Sequence, residues 1–338
     1  MSDKNNSTYG NPVLATLNGI VDLFRHKEPI GEIRDSDRLD GLTCLVTGAN
    51  SGLGKAIAID FARRGGHVIM ACRSGIPEAG EEVKQASGSD KVDMVKLDLS
   101  DIQAIRACCA TLKQQGVKLD RVVLNAGLVP QKPLKTKQGF EMMFGVHALG
   151  NRVFVQQLLL DGSIANSSFA ESPNAEPGKI PRIVFVSSET HRSGTPIELD
   201  SLGQPVEYSA MGSIAQYGHS KLVMTNYAME LSRRLNPDNT VEVAVHALCP
   251  GPINSNIARE APKAFKPILK AVMGLMFASP EKAARPAIYL SSSPDVEGQT
   301  GLYVHLMVKK DAAAQALDPQ LGRAVWTRMQ SLIDAHSH

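Results

Sequence analysis

The chain has 338 residues, ample for a sizeable core, and its 43% hydrophobic and 21% charged residues exclude a disordered or fibrous protein. A formal charge of +2, without clustered Lys/Arg fields, argues against nucleic acid or an anionic membrane as the partner. The five cysteines, Cys44, Cys72, Cys108, Cys109 and Cys249, are odd in number and show neither a CxxC pair nor metal-ligand spacing, which implies a reduced, cytoplasmic compartment and no metal site.

The opening MSDKNNSTYGNP has no basic segment leading into an apolar core, so no secretory signal is expected, and no stretch reaches the roughly 18 to 20 apolar residues that span a bilayer. Residues 1–40 read as an N-terminal extension in which Val13, Leu14, Leu17, Ile20, Val21 and Phe24 recur at helical spacing. That stripe lacks a Lys/Arg-rich polar face, so packing on protein is expected rather than attachment to a membrane. From 41 to 333, short apolar β-type runs alternate with helical segments, predicting one α/β domain on a doubly wound parallel sheet of Rossmann type. Seven strands are expected, at 43–46, 67–71, 93–96, 121–124, 182–186, 243–248 and 301–305. Helices should begin near Leu53, Pro77, Ile102, Phe140, Ala215 and Pro280. Residues 161–181, rich in Ser, Asn, Pro and Gly, read as a surface loop. Residues 254–278 are helical in pattern but apolar on more than one face; following a strand's carboxyl end, they suit a lid over a ligand crevice. Residues 334–338 form a tail.

Directly after the first strand, TGANSGLG opens a helix that continues KAIAIDFARRG. Gly48, Gly52 and Gly54, with Asn50, Ser51 and Leu53 between them, let backbone N–H groups approach a pyrophosphate at the positive end of a helix. The second strand ends in ACRSG, with Arg73 where an NAD-selective enzyme would carry an acid for the ribose 2′-hydroxyl. A guanidinium suits a 2′-phosphate, so NADP(H) is favoured, with NAD(H) as the alternative. YGHSK places Tyr217 and Lys221 four apart, on one helix face, and the fifth strand before it ends in FVSSET, with Ser187 and Ser188. Hydride reduction of a carbonyl needs a proton donor; a phenol titrating near 10 becomes useful when a neighbouring ammonium lowers its pKa. Tyr217 is therefore read as acid and base and Lys221 as its electrostatic partner.

The TGxxxGxG spacing, the order of the motifs and the Ser, Tyr, Lys trio resemble the short-chain dehydrogenase/reductase family. The ACR sequence, the SSxxH form at 187–191, and the segments SPEKAARPAIYLSSSPDVEGQTGLYV and AVWTRMQSLI are similar to its retinol-dehydrogenase-like branch. The resemblance covers about 41–333. It implies that Asp98 and the backbone of Leu99 meet the adenine, and that Asn125, Ala126 and Gly127 let the cofactor lie against the sheet. It also implies that Ser188, the second of the doublet, is the donor to the substrate oxygen, that Lys221 holds the nicotinamide ribose, and that Pro250, Gly251, Ile253 and Ser255 receive the carboxamide. The substrate it implies is a carbonyl or alcohol, lipophilic in this branch, and the family's dimers and tetramers make a homo-oligomer the expectation. His191 is a candidate lining residue of the substrate pocket. One position departs from the pattern: VHALGN sets His147 where the family has its catalytic Asn, so His147 either relays a proton or fills space. That departure keeps open a catalytically weak, dinucleotide-binding regulator or scaffold.

Overall fold

The computed structural model describes residues 29–170, 179–210, 212–238, 240–251 and 278–336. Its frame is one sheet made of β1 (Thr43–Thr47), β2 (His67–Cys72), β3 (Val92–Lys96), β4 (Arg121–Leu124), β5 (Arg182–Val186), β6 (Ala244–Cys249), β7 (Tyr303–His305) and β8 (Val308–Lys310). The order across the sheet is β3-β2-β1-β4-β5-β6-β7-β8. Pairing is parallel from β3 to β7 and antiparallel between β7 and β8.

The strands are apolar on both faces because helices cover both sides of the sheet. In β1, Cys44 and Val46 enter one apolar layer, and Leu45 enters the other, as the two-residue period of a strand requires. One layer lies under α1 (Gly52–Arg63), α2 (Glu78–Ser87) and α6 (Pro280–Ser292). The other lies under α3 (Ile102–Gln114), α4 (Asn151–Leu160) and α5 (Gly212–Leu235), with α7 (Pro319–Asp334) packed against α5. The side chains of Asp101, Ser279 and Asp318 cap α3, α6 and α7. The Asp318 carboxylate accepts from the N–H groups of Gln320 (2.8 Å) and Leu321 (3.2 Å), with Pro319 in the first turn. All five cysteines are buried as free thiols.

The sheet has eight strands where the sequence pattern suggested seven. β8 returns on β7 through a turn in which Leu306 takes φ 56°. A leucine in the left-handed region gives no Gly or Asn turn signal, so the hairpin is silent in sequence. Residues 29–40 also join this edge: Pro29 bridges to Val308 and the Ile30 N–H donates to the Met307 carbonyl at 2.7 Å. The start of the segment expected to be a surface loop is tucked in. Ile164 and Asn166 are fully buried, and the Asn166 amide bonds the carbonyls of Leu159 and Ile164. The apolar stripe at 13–24, residues 171–178 of the loop and 254–277 of the expected lid lie outside the described residues. Among the described residues, no helix is long and apolar enough to cross a membrane.

One polar layer interrupts the core beneath α6. Arg121 donates to the Ser291 carbonyl at 2.5 Å, and Arg182 to those of Leu290 (3.1 Å) and Ser293 (2.8 Å), so two strand cations satisfy the last carbonyls of that helix. His246 on β6 is fully buried nearby, with neither ring nitrogen hydrogen-bonded among the described residues. Burial, then the charge of Arg182, lowers its pKa to about 3. Between about pH 6.5 and 3 the unfolded chain therefore binds a proton at this residue that the folded chain refuses, and stability falls as pH falls, by up to about 1.4 kcal/mol per pH unit. His246→Leu should raise stability by about 1 kcal/mol at pH 7 and by more at pH 5. Urea unfolding at the two pH values checks this; an equal or smaller gain at pH 5 would contradict it.

Candidate active site

In a sheet of this order the chain leaves β1 and β4 in opposite directions, which opens a crevice at their carboxyl ends. Hydrogen bonds from Thr47 and Asn125 fix its walls. The Thr47 hydroxyl accepts from the N–H groups of Asn125 (3.0 Å) and Ala126 (2.9 Å), while the Asn125 amide donates to the carbonyls of Thr47 (3.0 Å) and Gly48 (3.4 Å). Side chains are excluded at two glycines. A Cβ on Gly48, which has φ 64°, would lie 2.9 Å from the Ala126 Cα, and one on Gly54 would lie 2.5 Å from the Gly48 carbonyl oxygen.

The loop between them, with Asn50, Ser51 and Leu53, delivers the chain into α1, whose N-terminus is not closed by a side-chain cap. Its first-turn N–H groups stay available for an anion. Cys72 is buried behind the loop, and burial pushes its pKa up while the nearby N–H groups of Ala49 and Asn50 oppose the rise. Arg73 is exposed, and no carboxylate pairs with it among the described residues. Asp98 is half-buried, with one oxygen accepting from the Ser100 N–H (2.9 Å) and hydroxyl (2.7 Å). Leu99 is buried, and its carbonyl packs so close to the helical run before α4 that a Cβ on Gly150 would stand 2.4 Å from it. Gly127 is exposed at the end of β4. An open helix N-terminus and two glycines with no room for a side chain fit a dinucleotide.

The serine doublet splits by role. Ser187 is buried and donates to Thr225 Oγ1 at 2.7 Å, because that hydroxyl's own proton goes to the Lys221 carbonyl. Ser188 Oγ accepts from the Thr190 N–H (3.3 Å) and hydroxyl (3.0 Å), and it lies close enough to the Tyr217 phenol to favour its ionised form. Tyr217 and Lys221 share a face of α5, with the lysine Nζ 5.6 Å from the phenol ring centre. That Nζ donates to the Val186 carbonyl at 2.7 Å.

Desolvation dominates the pair. Burial, then the charge that Cys249 would carry as thiolate, raises the Tyr217 pKa, and the Ser188 hydrogen bond opposes it. Burial lowers Lys221 to about 7. A phenol made more acidic by its ammonium neighbour was the expectation; in this structure it is less acidic, because burial penalises phenolate and ammonium alike.

Two candidate histidines are fully engaged by protein atoms. His191 donates from Nδ1 to the Ser188 carbonyl (2.7 Å), accepts the Ala313 N–H on Nε2 (2.9 Å), and is held near pKa 4, chiefly by burial. His147 is buried against the Tyr217 ring, with centroids 5.5 Å apart. Pro250 and Gly251 follow β6, and a Cβ on Gly251 would meet Leu306 Cδ2 at 2.5 Å. Ile253 and Ser255 lie outside the described residues.

Other contributors gave no signal in the sequence. Glu189 accepts from the Tyr303 hydroxyl (2.9 Å), Lys310 (3.0 Å) and Arg192 (3.1 Å). Burial would raise its pKa, but the charges of Arg192, His305 and Lys310 hold it at about 2. This cluster ties the β7–β8 hairpin to the residue after Ser188. Tyr303 and Lys310 lie more than a hundred positions from Glu189 in the chain, so no local pattern announces their meeting.

The short chain dehydrogenase family model matches residues 42–198. Human "Retinol dehydrogenase 14" is 35% identical over 309 residues, 86% of either chain. Mouse "Polyprenol dehydrogenase" is 30% identical over 290 residues, 85% of this chain and 82% of its own. Among solved structures, an uncharacterized protein of Mycobacterium paratuberculosis superposes with a TM-score of 0.67 at 25% identity, over 90% of this chain and 98% of its own. With that likeness along most of its length, and with glycine loop, serine, tyrosine and lysine gathered at one sheet edge, the chain belongs to the short-chain dehydrogenase/reductase family of oxidoreductases, in its retinol-dehydrogenase-like branch.

Proposed function

We propose that this protein is an NADP(H)-dependent oxidoreductase acting on the carbonyl or alcohol group of an apolar small molecule. The observation that carries the reading is the gathering of Ser188, Tyr217 and Lys221, the amine one helical turn from the phenol, at the carboxyl edge that also bears the open N-terminus of α1. A bound nicotinamide supplies or accepts the hydride. The chain's own residues do the rest. The α1 N-terminus and the loop from Gly48 to Gly54 hold the pyrophosphate, Arg73 binds the ribose 2′-phosphate, and Asp98 and the Leu99 backbone meet the adenine. Asn125, Ala126 and Gly127 form the floor, Lys221 meets the nicotinamide ribose, and the turn that begins at Pro250 and Gly251 receives the carboxamide.

Ser188 orients the substrate oxygen, and Tyr217 gives it a proton in reduction or takes one in oxidation. Lys221 acts through charge. Its amine titrates near neutrality, so the site gains a positive charge on small stabilisation, and that charge then favours the phenolate. Retinol and polyprenol, after which the human and mouse relatives are named, define the class of substrate to assay.

Tyr217→Phe should lower hydride transfer to all-trans-retinal by about 10²-fold or more while NADPH binding, followed by its fluorescence, is retained. Full activity in that variant would remove the phenol from the chemistry. Alcohol oxidation should rise with pH as Tyr217 ionises. Without the Lys221 ammonium the phenolate is less favoured, so Lys221→Met should shift that rise to higher pH; an unmoved profile would mean the amine does not act on the phenol. Arg73→Ala should raise the KM for NADPH about tenfold to a hundredfold and leave that for NADH nearly unchanged, and equal effects on both would reject the 2′-phosphate contact.

A further inference from the structure

His147 lies where three parts of the site meet, and every polar atom of its ring is in use. Its Nε2 accepts the Leu128 N–H, in the loop that follows β4, at 3.0 Å. The ring proton therefore sits on Nδ1, which donates to Ser220 Oγ at 2.9 Å. Ser220 in turn donates to the Tyr217 carbonyl at 2.8 Å. The ring stands edge-on to the phenol, at an interplanar angle of 88°. Its backbone is held as well, for the His147 carbonyl, inside the π-helical segment Gly145–Gly150, accepts the Asn151 side-chain amide at 2.8 Å.

We propose that His147 is a positioning residue for Tyr217, a neutral strut that joins the end of β4 to the helix carrying the phenol and does not carry protons. This rests on the reading of Tyr217 as the acid and base. A relay must accept a proton on one ring nitrogen and release one from the other. Protonating Nε2 would set two N–H groups against each other and leave the Leu128 donor without its acceptor. The charged groups that face the ring point the same way: burial, then the Lys221 ammonium, hold the imidazole well below its usual pKa, and no carboxylate among the described residues offsets them. The strut fixes the distance between the nucleotide floor at Gly127 and the phenol, where a Cβ on Gly127 would already press on His147 Nε2 at 3.2 Å.

The test combines ¹⁵N-imidazole NMR of the full-length protein, with and without NADPH, and kinetics with all-trans-retinal as probe. The signal missing in His147→Gln identifies residue 147. It should stay in the neutral, Nδ1-protonated form from pH 5.5 to 9. His147→Gln, which can still accept from Leu128, and His147→Asn, which can still reach Ser220, should each lower kcat about fivefold. His147→Phe, which can do neither, should lower it about thirtyfold. In all three the pH profile and the solvent isotope effect should match those of the unaltered protein. Titration of the signal within that range, or a pH limb lost in the variants, would overturn the proposal. Should the unaltered protein fail to turn over any carbonyl while the imidazole stays neutral, the hydride-transfer reading fails and the neutral, saturated state of His147 stands.

Discussion

Two backbone N–H groups share one hydroxyl, that of Thr47, and the site depends on that shared bond. It holds the carboxyl ends of β1 and β4 together at the place where the chain turns to opposite faces of the sheet, and so sets the width of the crevice. The Asn125 amide closes the same gap from the other side, and the glycines at 48 and 54 leave no room for side chains within it. A parallel sheet buried on both faces forces every strand to deliver its carboxyl end to one edge. Ser188 after β5, Cys249 at the end of β6 and the loop after β4 meet there for that reason, though they come from distant parts of the chain.

Water exclusion then shapes the chemistry. Tyr217 and Lys221 both lose their charged forms to burial, one by a raised pKa and the other by a lowered one. The pair rests as a phenol beside an amine that titrates near neutrality, so a small added stabilisation is enough to charge the amine. Around it the remaining polar groups are saturated. His191 holds the Ser188 carbonyl and His147 holds the Leu128 amide, each as a neutral ring with both nitrogens in use.

The C-terminal part of the chain fastens this arrangement from outside. Glu189, next to Ser188, is ringed by Tyr303, Lys310 and Arg192, which pins the β7–β8 hairpin to the site. The Trp326 ring of α7 stacks on Tyr227 of α5 at 5.5 Å, and the guanidinium groups of Arg152 and Arg234 each lie 4.3 Å from its centre. Such a stack combines apolar burial with attraction of the cations to the ring face, and it anchors the helix that bears Tyr217 and Lys221.

The strand runs, the glycine loop and the Tyr217–Lys221 spacing were legible because each is a local pattern, set by a period of two, by a turn that admits no side chain, or by one helical turn. The residues alone thus determined the sheet type, the glycine loop at its carboxyl edge and the candidates for the reacting groups. They did not determine the eighth strand, since its turn is made by a leucine held at positive φ by its surroundings. Nor did they determine the state of the titratable groups. Whether Lys221 is an ammonium, whether His147 and His191 have a free nitrogen, and which serine of the doublet meets the phenol depend on desolvation and on partners many positions away. Those quantities exist only once the chain has closed around them.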